Sequence, residues 1–448
     1  MHWLLLVARF FAILWVVGIG FFGYFARRVA AGRLDPARRE ALRGQCLARG
    51  LDRLGATFVK FGQILSTRPD LLGPGYIQAL GRLQDRVDPI PFDEVERVLE
   101  VELDPSARRR LAAVDPEPLA AASVAQVHRA WIDGDRAGVL KVQRPAARDQ
   151  IERDLILLGA GARVLELVPS VRLLSLRGSV ERFGDAMHQQ LDFRQEAQNN
   201  RRFAEHFDRV DHVGVPALYP ELCTDRVLTM EHIDGVRATE PEKVGADRRA
   251  IARRGLEAVL QMVFDDGFVH ADMHPGNILL SHDGRVTLID LGLVARIPDD
   301  MKRPWIETFM ALSQQDGPWA ARLLYGYAPT VGTRDYAALE RDLVAHMATF
   351  HGKPLSEVEV SQVLAGMMNV LRRHRVQIDP VFTVVNVALL VAEGLGKQLD
   401  PDLDLVQLAT PHIARALATA PPGRAPLREP PPAPTRGPET ISNLPAAS

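Results

Sequence analysis

Between His270 and Gly292 the chain reads His270-Ala-Asp272-Met-His274-Pro-Gly-Asn277-Ile-Leu, and then Ile289-Asp290-Leu-Gly292. Asp272 is followed five residues later by Asn277 (277 − 272 = 5), and a second aspartate comes thirteen further on (290 − 277 = 13). This order of oxygen-bearing side chains suits phosphoryl transfer. That chemistry asks little covalent help of a protein, but needs Mg²⁺ held against the phosphates and an acceptor oxygen oriented in line. On this reading Asn277 and Asp290 hold the metal, while Asp272 orients or deprotonates the acceptor. A rival reading uses alternation: on a strand His270, Asp272 and His274 would share one face and could ligate a transition metal. Pro275-Gly276 argues against a continuing strand, and no second His/Cys cluster with ligand spacing occurs elsewhere.

Other elements must bring these groups together. Ile278 to Leu280 and Arg285 to Asp290 flank Asp283-Gly284, whose positive φ angles suit a tight turn, so a hairpin carries both metal ligands to one place. Upstream, Gly138-Val-Leu-Lys141-Val-Gln-Arg-Pro145 sets a lysine inside an apolar extended run, where an ammonium is costly unless an anion meets it. Period-2 alternation puts Val139 on the same face as Lys141, one to pack on an adenine and the other to reach phosphates; a snorkelling edge-strand lysine is the alternative. Ala120-Ala121-Ala122-Ser123 reads as a small-residue turn that could approach phosphates closely, or equally as an Ala-rich helical cap. Gln190-Leu-Asp192-Phe-Arg-Gln-Glu196 is helical in propensity, so Glu196 either pairs with Lys141 or sits on an exposed charged helix. Val227 to Gly235 reads as a strand running into a turn, a hinge whose backbone around Glu231 could bind an adenine edge.

At 448 residues the chain suits two lobes plus accessories, and 47% hydrophobic with 25% charged residues is globular composition. The net charge of −2 gives no global pull toward nucleic acid, and two cysteines imply no disulfide framework. Trp3 to Phe25 is nearly all apolar, broken only by Arg9 and followed by Arg27-Arg28, which favour a cytoplasmic flank. A single span, a helix in the membrane interface and a helix packed on the body all fit this segment; a cleaved signal peptide fits less well, because no small-residue cleavage site follows. Pro36 to Ser66 reads as helix with Pro69 as its stop, and on periodicity alone Lys60 and Gln63 are its solvated edge. From Ala420 the Pro-rich composition predicts a tail with no packed core.

Together, Lys60-Phe-Gly-Gln63, Ala120-Ala-Ala-Ser123, Val139-Leu-Lys141-Val-Gln-Arg-Pro145, Gln190-Leu-Asp192-Phe-Arg-Gln-Glu196 and the Asp272/Asn277 loop resemble the UbiB/ADCK family of atypical kinase-like proteins, over about residues 36–401. The resemblance implies an α+β, two-lobed protein-kinase-like fold that binds ATP and Mg²⁺. It implies an ATPase or small-lipid kinase acting on or near membrane quinone precursors in ubiquinone (coenzyme Q) biosynthesis, beside other enzymes of that synthesis. The alternatives are a nucleotide-gated scaffold and a small-molecule phosphotransferase. The expected organisation is a membrane-associating segment (1–28), a helical extension (29–110), an N-lobe with inserted helices (111–235), a helical C-lobe (236–416) and a disordered tail (417–448). The body is then cytoplasmic, at a bacterial inner membrane. In the family the Lys-x-Gly-Gln helix lies over the active site, where a protein kinase would accept its peptide, and its lysine meets a Glu-x-Asp element. By that correspondence Lys60 and Gln63 gate the site and Lys60 faces Asp192. The Glu position is Gln190 here, which removes a charge-assisted bond of about 1.5 to 3 kcal/mol and predicts weaker gating.

Overall fold

The computed structural model describes all residues except 1, 31, 33–34, 69–70, 84–86, 168–175, 209, 334, 351–358 and 431–448. Pro69, Asp70 and the tail beyond Pro430 therefore lie outside the described residues.

Six helices come first: α1 (His2–Ala30), α2 (Pro36–Leu54), α3 (Ala56–Ser66), α4 (Pro74–Leu80), α5 (Phe92–Glu102) and α6 (Pro105–Arg110). The helix expected over 36–66 is in fact two, because Gly55 takes φ +91°, a conformation glycine supplies and other residues resist. The break redirects the chain, so α3 points its own set of side chains inward: Phe58, Val59 and Lys60 are all buried.

β1 (Leu111–Ala121), β2 (Ala125–Ile132), β3 (Arg136–Gln143) and, after a helical insertion, β5 (Val227–Glu231) form an antiparallel sheet in the order β1-β2-β3-β5. Alternation sorts β3 as its sequence suggests. Gly138, Leu140 and Val142 are buried, and Leu140 and Val142 join the core beneath α5 and α6, whereas Val139 and Lys141 occupy the half-buried opposite face. Between β3 and β5 come α7 (Ala147–Leu165), α8 (Leu176–Gln190) and α9 (Phe193–Phe207). Phe183, Met187, Leu191, Phe193 and Ala197 of this insertion pack under the sheet together with Phe61 and Ile64 of α3.

The second lobe is built on α10 (Arg248–Leu260), which runs into a π-helical turn at Gln261–Asp266, followed by β7 (Phe268–His270). A small sheet joins β4 (Val213–Gly214), β9 (Val286–Leu288), β8 (Ile278–Leu280) and β6 (Val236–Arg237) in the order β4-β9-β8-β6, while β10 (Val294–Arg296) pairs with β7. Among the described residues, α11 (Asp299–Ser313), α12 (Gly317–Tyr327), α13 (Tyr336–Ala348), α14 (Val360–Arg373) and α15 (Pro380–Leu399) surround them, and α16 (Leu405–Thr419) closes the lobe. The arrangement is the α+β, two-lobed kinase-like fold.

Two expectations change. The Pro-rich stretch from Ala420 is not loose up to Pro430: the backbone of Arg424 and Leu427 donates to Asp300 and Gly326, and Arg428 bonds the Ala328 carbonyl. Proline cannot build a core, but the residues between prolines keep their N–H groups and dock the strap on α11 and α12. The apolar N-terminal stretch is one 29-residue helix, longer than its sixteen-residue uninterrupted run, and its most apolar window buries no residue inside the body.

The lobes are joined through aromatic packing. Phe203 of α9 is fully buried, with its ring centroid 4.8 Å from that of Phe268 on β7, two residues before His270. Phe203→Ala is expected to cost about 3–5 kcal/mol, a large truncation with a residual cavity; an unchanged urea unfolding midpoint would contradict that placement.

Candidate active site

The chain reverses after β7 and sets His270 wholly out of solvent. Its Nδ1 accepts the Asp272 N–H at 3.1 Å and its Nε2 lies 3.3 Å from the Ile289 carbonyl oxygen, so both ring nitrogens brace the loop. Burial holds this imidazole's pKa below the ordinary histidine value. His274 Nδ1 likewise accepts the Gly276 N–H at 2.7 Å. These bonds answer the transition-metal reading: both histidines shape backbone, and among the described residues no three His, Cys, Asp or Glu side chains gather as a metal cage.

Asn277 is fixed by donating from Nδ2 to the Asp272 carbonyl at 3.0 Å, which leaves its amide oxygen as the acceptor end. Its own carbonyl accepts the Ile289 N–H at 2.9 Å. The β8–β9 hairpin, with Gly284 at φ +79° in its turn, thus returns the chain to the loop it left and delivers Asp290 beside it. Asp290 itself sits at φ +58°, a left-handed conformation uncommon for a residue with a side chain and typical of sites where neighbours fix the backbone.

Lys141 meets two carboxylates. Its Nζ is 2.9 Å from both Glu196 oxygens and 2.7 Å from Asp290 Oδ1, with the Phe193 ring centroid 5.5 Å away. The Glu196 side chain is only 4% exposed and that of Asp290 46%, so the three groups form a gradient from the interior to the cleft. Burial would neutralise Lys141, but the two carboxylates outweigh it and raise its pKa. The Lys141 charge holds Asp290 at about 2, while burial pushes Glu196 above the ordinary glutamate value against the pull of the same ammonium. A β-carbon on Gly292 would stand 3.1 Å from Glu196 Oε2, so a larger residue there would press on the Glu196 carboxylate. Asn199, one turn beyond Glu196, donates to the Leu291 carbonyl at 2.9 Å and fastens α9 to the same segment. Neither contact could be read from the sequence, in which Asn199 and Gly292 are a polar helix residue and a glycine after an acid.

Lys60 departs from the expected partner. Its Nζ is 2.9 Å from Asp272 Oδ2, and Asp192 instead caps α9 by accepting the Arg194 N–H at 3.0 Å. The reason is the direction of α3: after the Gly55 turn its inner face meets the loop that follows β7, and Lys60 ends with an 11% exposed side chain. Burial raises the Asp272 pKa, but the Lys60 charge offsets this and leaves the carboxyl below the ordinary aspartate value. Gln63 donates to the Leu83 carbonyl at 3.1 Å, anchoring α3, and Gln190 ends α8 without a place in the charged cluster. Ala120 and Ala121 end β1 and Ala122 begins the turn through Ser123 into β2, with the Ala122 N–H on the Ala125 carbonyl; this is a hairpin, not a helical cap. It lies one strand from Lys141, which pairs with Val127. Glu231 closes β5, its N–H given to the Ala217 carbonyl at 2.7 Å.

The oxygen donors fit a hard divalent ion. Asp290 offers a carboxylate and Asn277 an amide oxygen, on segments tied together by the Ile289–Asn277 backbone bond, the sparse protein set on which Mg²⁺ relies when phosphates complete its shell.

Residues 82–323 match the ABC1 atypical kinase-like domain and 344–404 the UbiB helical domain. Lys60 and Gln63 fall outside both stretches. Proteins called "Probable protein kinase UbiB" are similar along most of the chain. That of Shewanella pealeana is 33% identical over 389 residues (85% of this chain, 71% of the relative), and that of Tolumonas auensis 35% over 385 (84% and 70%). Among solved structures, the Mycobacterium tuberculosis Rv3197–erythromycin complex covers 76% of this chain and 91% of its own at 24% identity, with a TM-score of 0.46.

Removing the Lys60 charge leaves burial and the Asp290 charge, which both raise the Asp272 pKa, against a smaller pull from His270, so Lys60→Met is expected to move its titration from below to above the ordinary aspartate pKa of about 4. In the wild type the depressed pKa stabilises the fold above that pH and the benefit is lost as pH falls through the folded value; in the variant the sign reverses. Carboxyl ¹³C NMR, assigned with Asp272→Asn, reads the shift, and an unmoved resonance would refute it.

Proposed function

Since the chain belongs to the UbiB family of ABC1 atypical kinase-like proteins, we propose that it is an Mg²⁺- and ATP-dependent enzyme of ubiquinone biosynthesis, hydrolysing ATP while handling a quinone precursor at the membrane. The observation that carries this reading is the single cluster of Lys141, Glu196 and Asp290, with Asp272 and Asn277 tied to it through the β8–β9 hairpin. Lys141 would orient the α- and β-phosphates, and Glu196 holds Lys141 in place. The turn Ala120–Ser123 would cover the phosphates, and Val139 and the hinge at Glu231 would meet the base. Asn277 and Asp290 would hold Mg²⁺, which when bound supplies neutralisation of charge on the phosphate oxygens.

Asp272 is the group suited to orient or deprotonate a hydroxyl or water. Lys60 stands on it, where a bulky peptide acceptor would have to be. This favours water or a small acceptor over a protein substrate. The same contact supports a second reading, a nucleotide-gated scaffold in which turnover is incidental, because a carboxylate paired with an ammonium is a weak base.

The membrane part of the proposal rests on α1. Its large apolar side chains Trp3, Phe11, Trp15, Phe22 and Val29 are all more than 60% exposed, while Arg9 and Arg27 both touch α2. Those two contacts lie eighteen residues apart (27 − 9), or roughly 27 Å of helix, so too little of α1 is left free to cross a ~30 Å hydrocarbon core. A helix lying in the interface, apolar face down, fits this packing better than a span. By contrast α15, also long and apolar, has half of its most apolar window buried in the C-lobe.

The test is ATP hydrolysis by the full chain, with and without Mg²⁺, liposomes and a phenolic quinone-precursor mimic. Turnover is expected to need Mg²⁺, to rise with lipid and phenol, to vanish in Asp290→Asn and to fall about 10²–10⁴-fold in Asp272→Asn. Stable phosphate transfer to a protein in preference to water or a lipid would sink the proposal, and nucleotide binding with no turnover would favour the scaffold.

A further inference from the structure

Arg9 is the one charge in the apolar stretch of α1, and its partners lie far away in sequence. Its guanidinium meets Asp154 of α7 in a two-pronged ion pair, Nε to Oδ1 at 2.7 Å and Nη2 to Oδ2 at 3.0 Å. Nη2 also donates to the Leu54 carbonyl at 2.6 Å, and the guanidinium carbon lies 5.4 Å from the Phe58 ring centroid. The Asp154 side chain has no solvent exposure, and that of Arg9 has 24%.

These contacts converge on one joint. Leu54 is the last residue of α2, Gly55 is the turn at φ +91°, and Phe58 belongs to the first turn of α3, two residues before Lys60. Arg9 therefore holds both sides of the bend that aims Lys60 at Asp272. Ile13 and Val16, one and two turns further along α1, pack on the same cluster of Leu51, Leu54, Phe58 and Leu80. Removing either charge strands the other in the interior, so the pair favours α1 docked with all its partners in place.

We propose that Arg9 and Asp154 are positioning residues for Lys60: docking of the apolar helix through this ion pair sets the bend at Gly55 and so keeps Lys60 on Asp272. The role in catalysis rests on the functional reading above, whereas the placement of Lys60 does not.

The test uses the full chain in neutral detergent and brief labelling with an amine-reactive acetylating reagent, quantified by mass spectrometry against the exposed Lys243. In the wild type Lys60 and Lys141 are both slow, being buried and ion-paired. In Arg9→Gln and in Asp154→Asn, which keeps the side chain's shape, Lys60 is expected to label about ten-fold faster while Lys141 stays slow. Arg9→Lys, which retains the charge, should restore part of the protection. Lys60 unchanged in both variants overturns the proposal, and so does equal acceleration of Lys60 and Lys141, which would mean general loosening. A second readout is ATP hydrolysis resolved into kcat and KM. In Arg9→Gln kcat should shift while the KM for ATP holds, because Lys60 leaves Asp272 whereas Lys141 keeps Glu196 and Asp290, and Arg9→Lys should restore part of the wild-type value. Absence of hydrolysis in every form would defeat the functional reading and leave the labelling result to decide the positioning role.

Discussion

Three carboxylates and two ammonium groups share the cleft, and most of the architecture serves their mutual neutralisation. Glu196 would be ruinous alone at 4% side-chain exposure; with Lys141 at 2.9 Å it becomes tolerable, and Lys141 in turn needs its second partner, Asp290. Since β3 carries the lysine, α9 the glutamate and the segment after β9 the aspartate, this cluster ties the N-lobe sheet to the C-lobe loops. Lys60 adds the N-terminal helices by the same means, through Asp272. Among these five described groups, Asp272, Glu196 and Asp290 outnumber Lys60 and Lys141 by one, a balance that suits a bound cation. Asp290, at 46% exposed, stands at the open end of that group with Asn277 beside it.

The candidate site is the most legible part of the sequence, because the loop that carries Asp272 and Asn277 and the hairpin that returns to it are local. Asp272, Asn277 and Asp290 lie within nineteen residues of one another, and the Asp283-Gly284 turn that joins them leaves its signature in residue type. The Lys141 strand was legible through alternation, which is also local. Partners across long separations were not. Glu196 could be named only by analogy, and Lys60 was assigned to Asp192 because the family pattern supplied an acid there. The 212-residue separation of Lys60 from Asp272 contains no signal that periodicity could use. Arg9 shows the same limit: from the sequence it merely interrupts an apolar run, and only the fold reveals Asp154 waiting 145 residues away. The strap at 420–430 was misread for a different reason, since composition reports the lack of a core but not backbone docking on another element's surface.

Gly55 is small evidence with large consequences. Read as a continuous helix, residues 36–66 would place Lys60 and Gln63 on a solvated edge, and the amphipathic pattern gives no warning otherwise. One left-handed residue rotates α3 so that Lys60 is buried and Gln63 grips the Leu83 carbonyl. The apolar periodicity of the segment was real, but it belonged to two helices with different inward faces.

The change to Gln190 can now be weighed on geometry. It predicted weaker gating because a glutamate there would have paired with Lys60, a bond worth about 1.5 to 3 kcal/mol. In this structure the Lys60 ammonium is already 2.9 Å from an oxygen of Asp272, so the charge is satisfied and the lost glutamate leaves no orphan. Gln190 ends α8 and makes none of the described contacts of the Lys60 ammonium, so the Lys60–Asp272 pair does not depend on an acid at that position. The substitution therefore bears on Lys60 less than the family pattern implies, because the fold gives the ammonium its carboxylate on the loop after β7 and not at the end of α8.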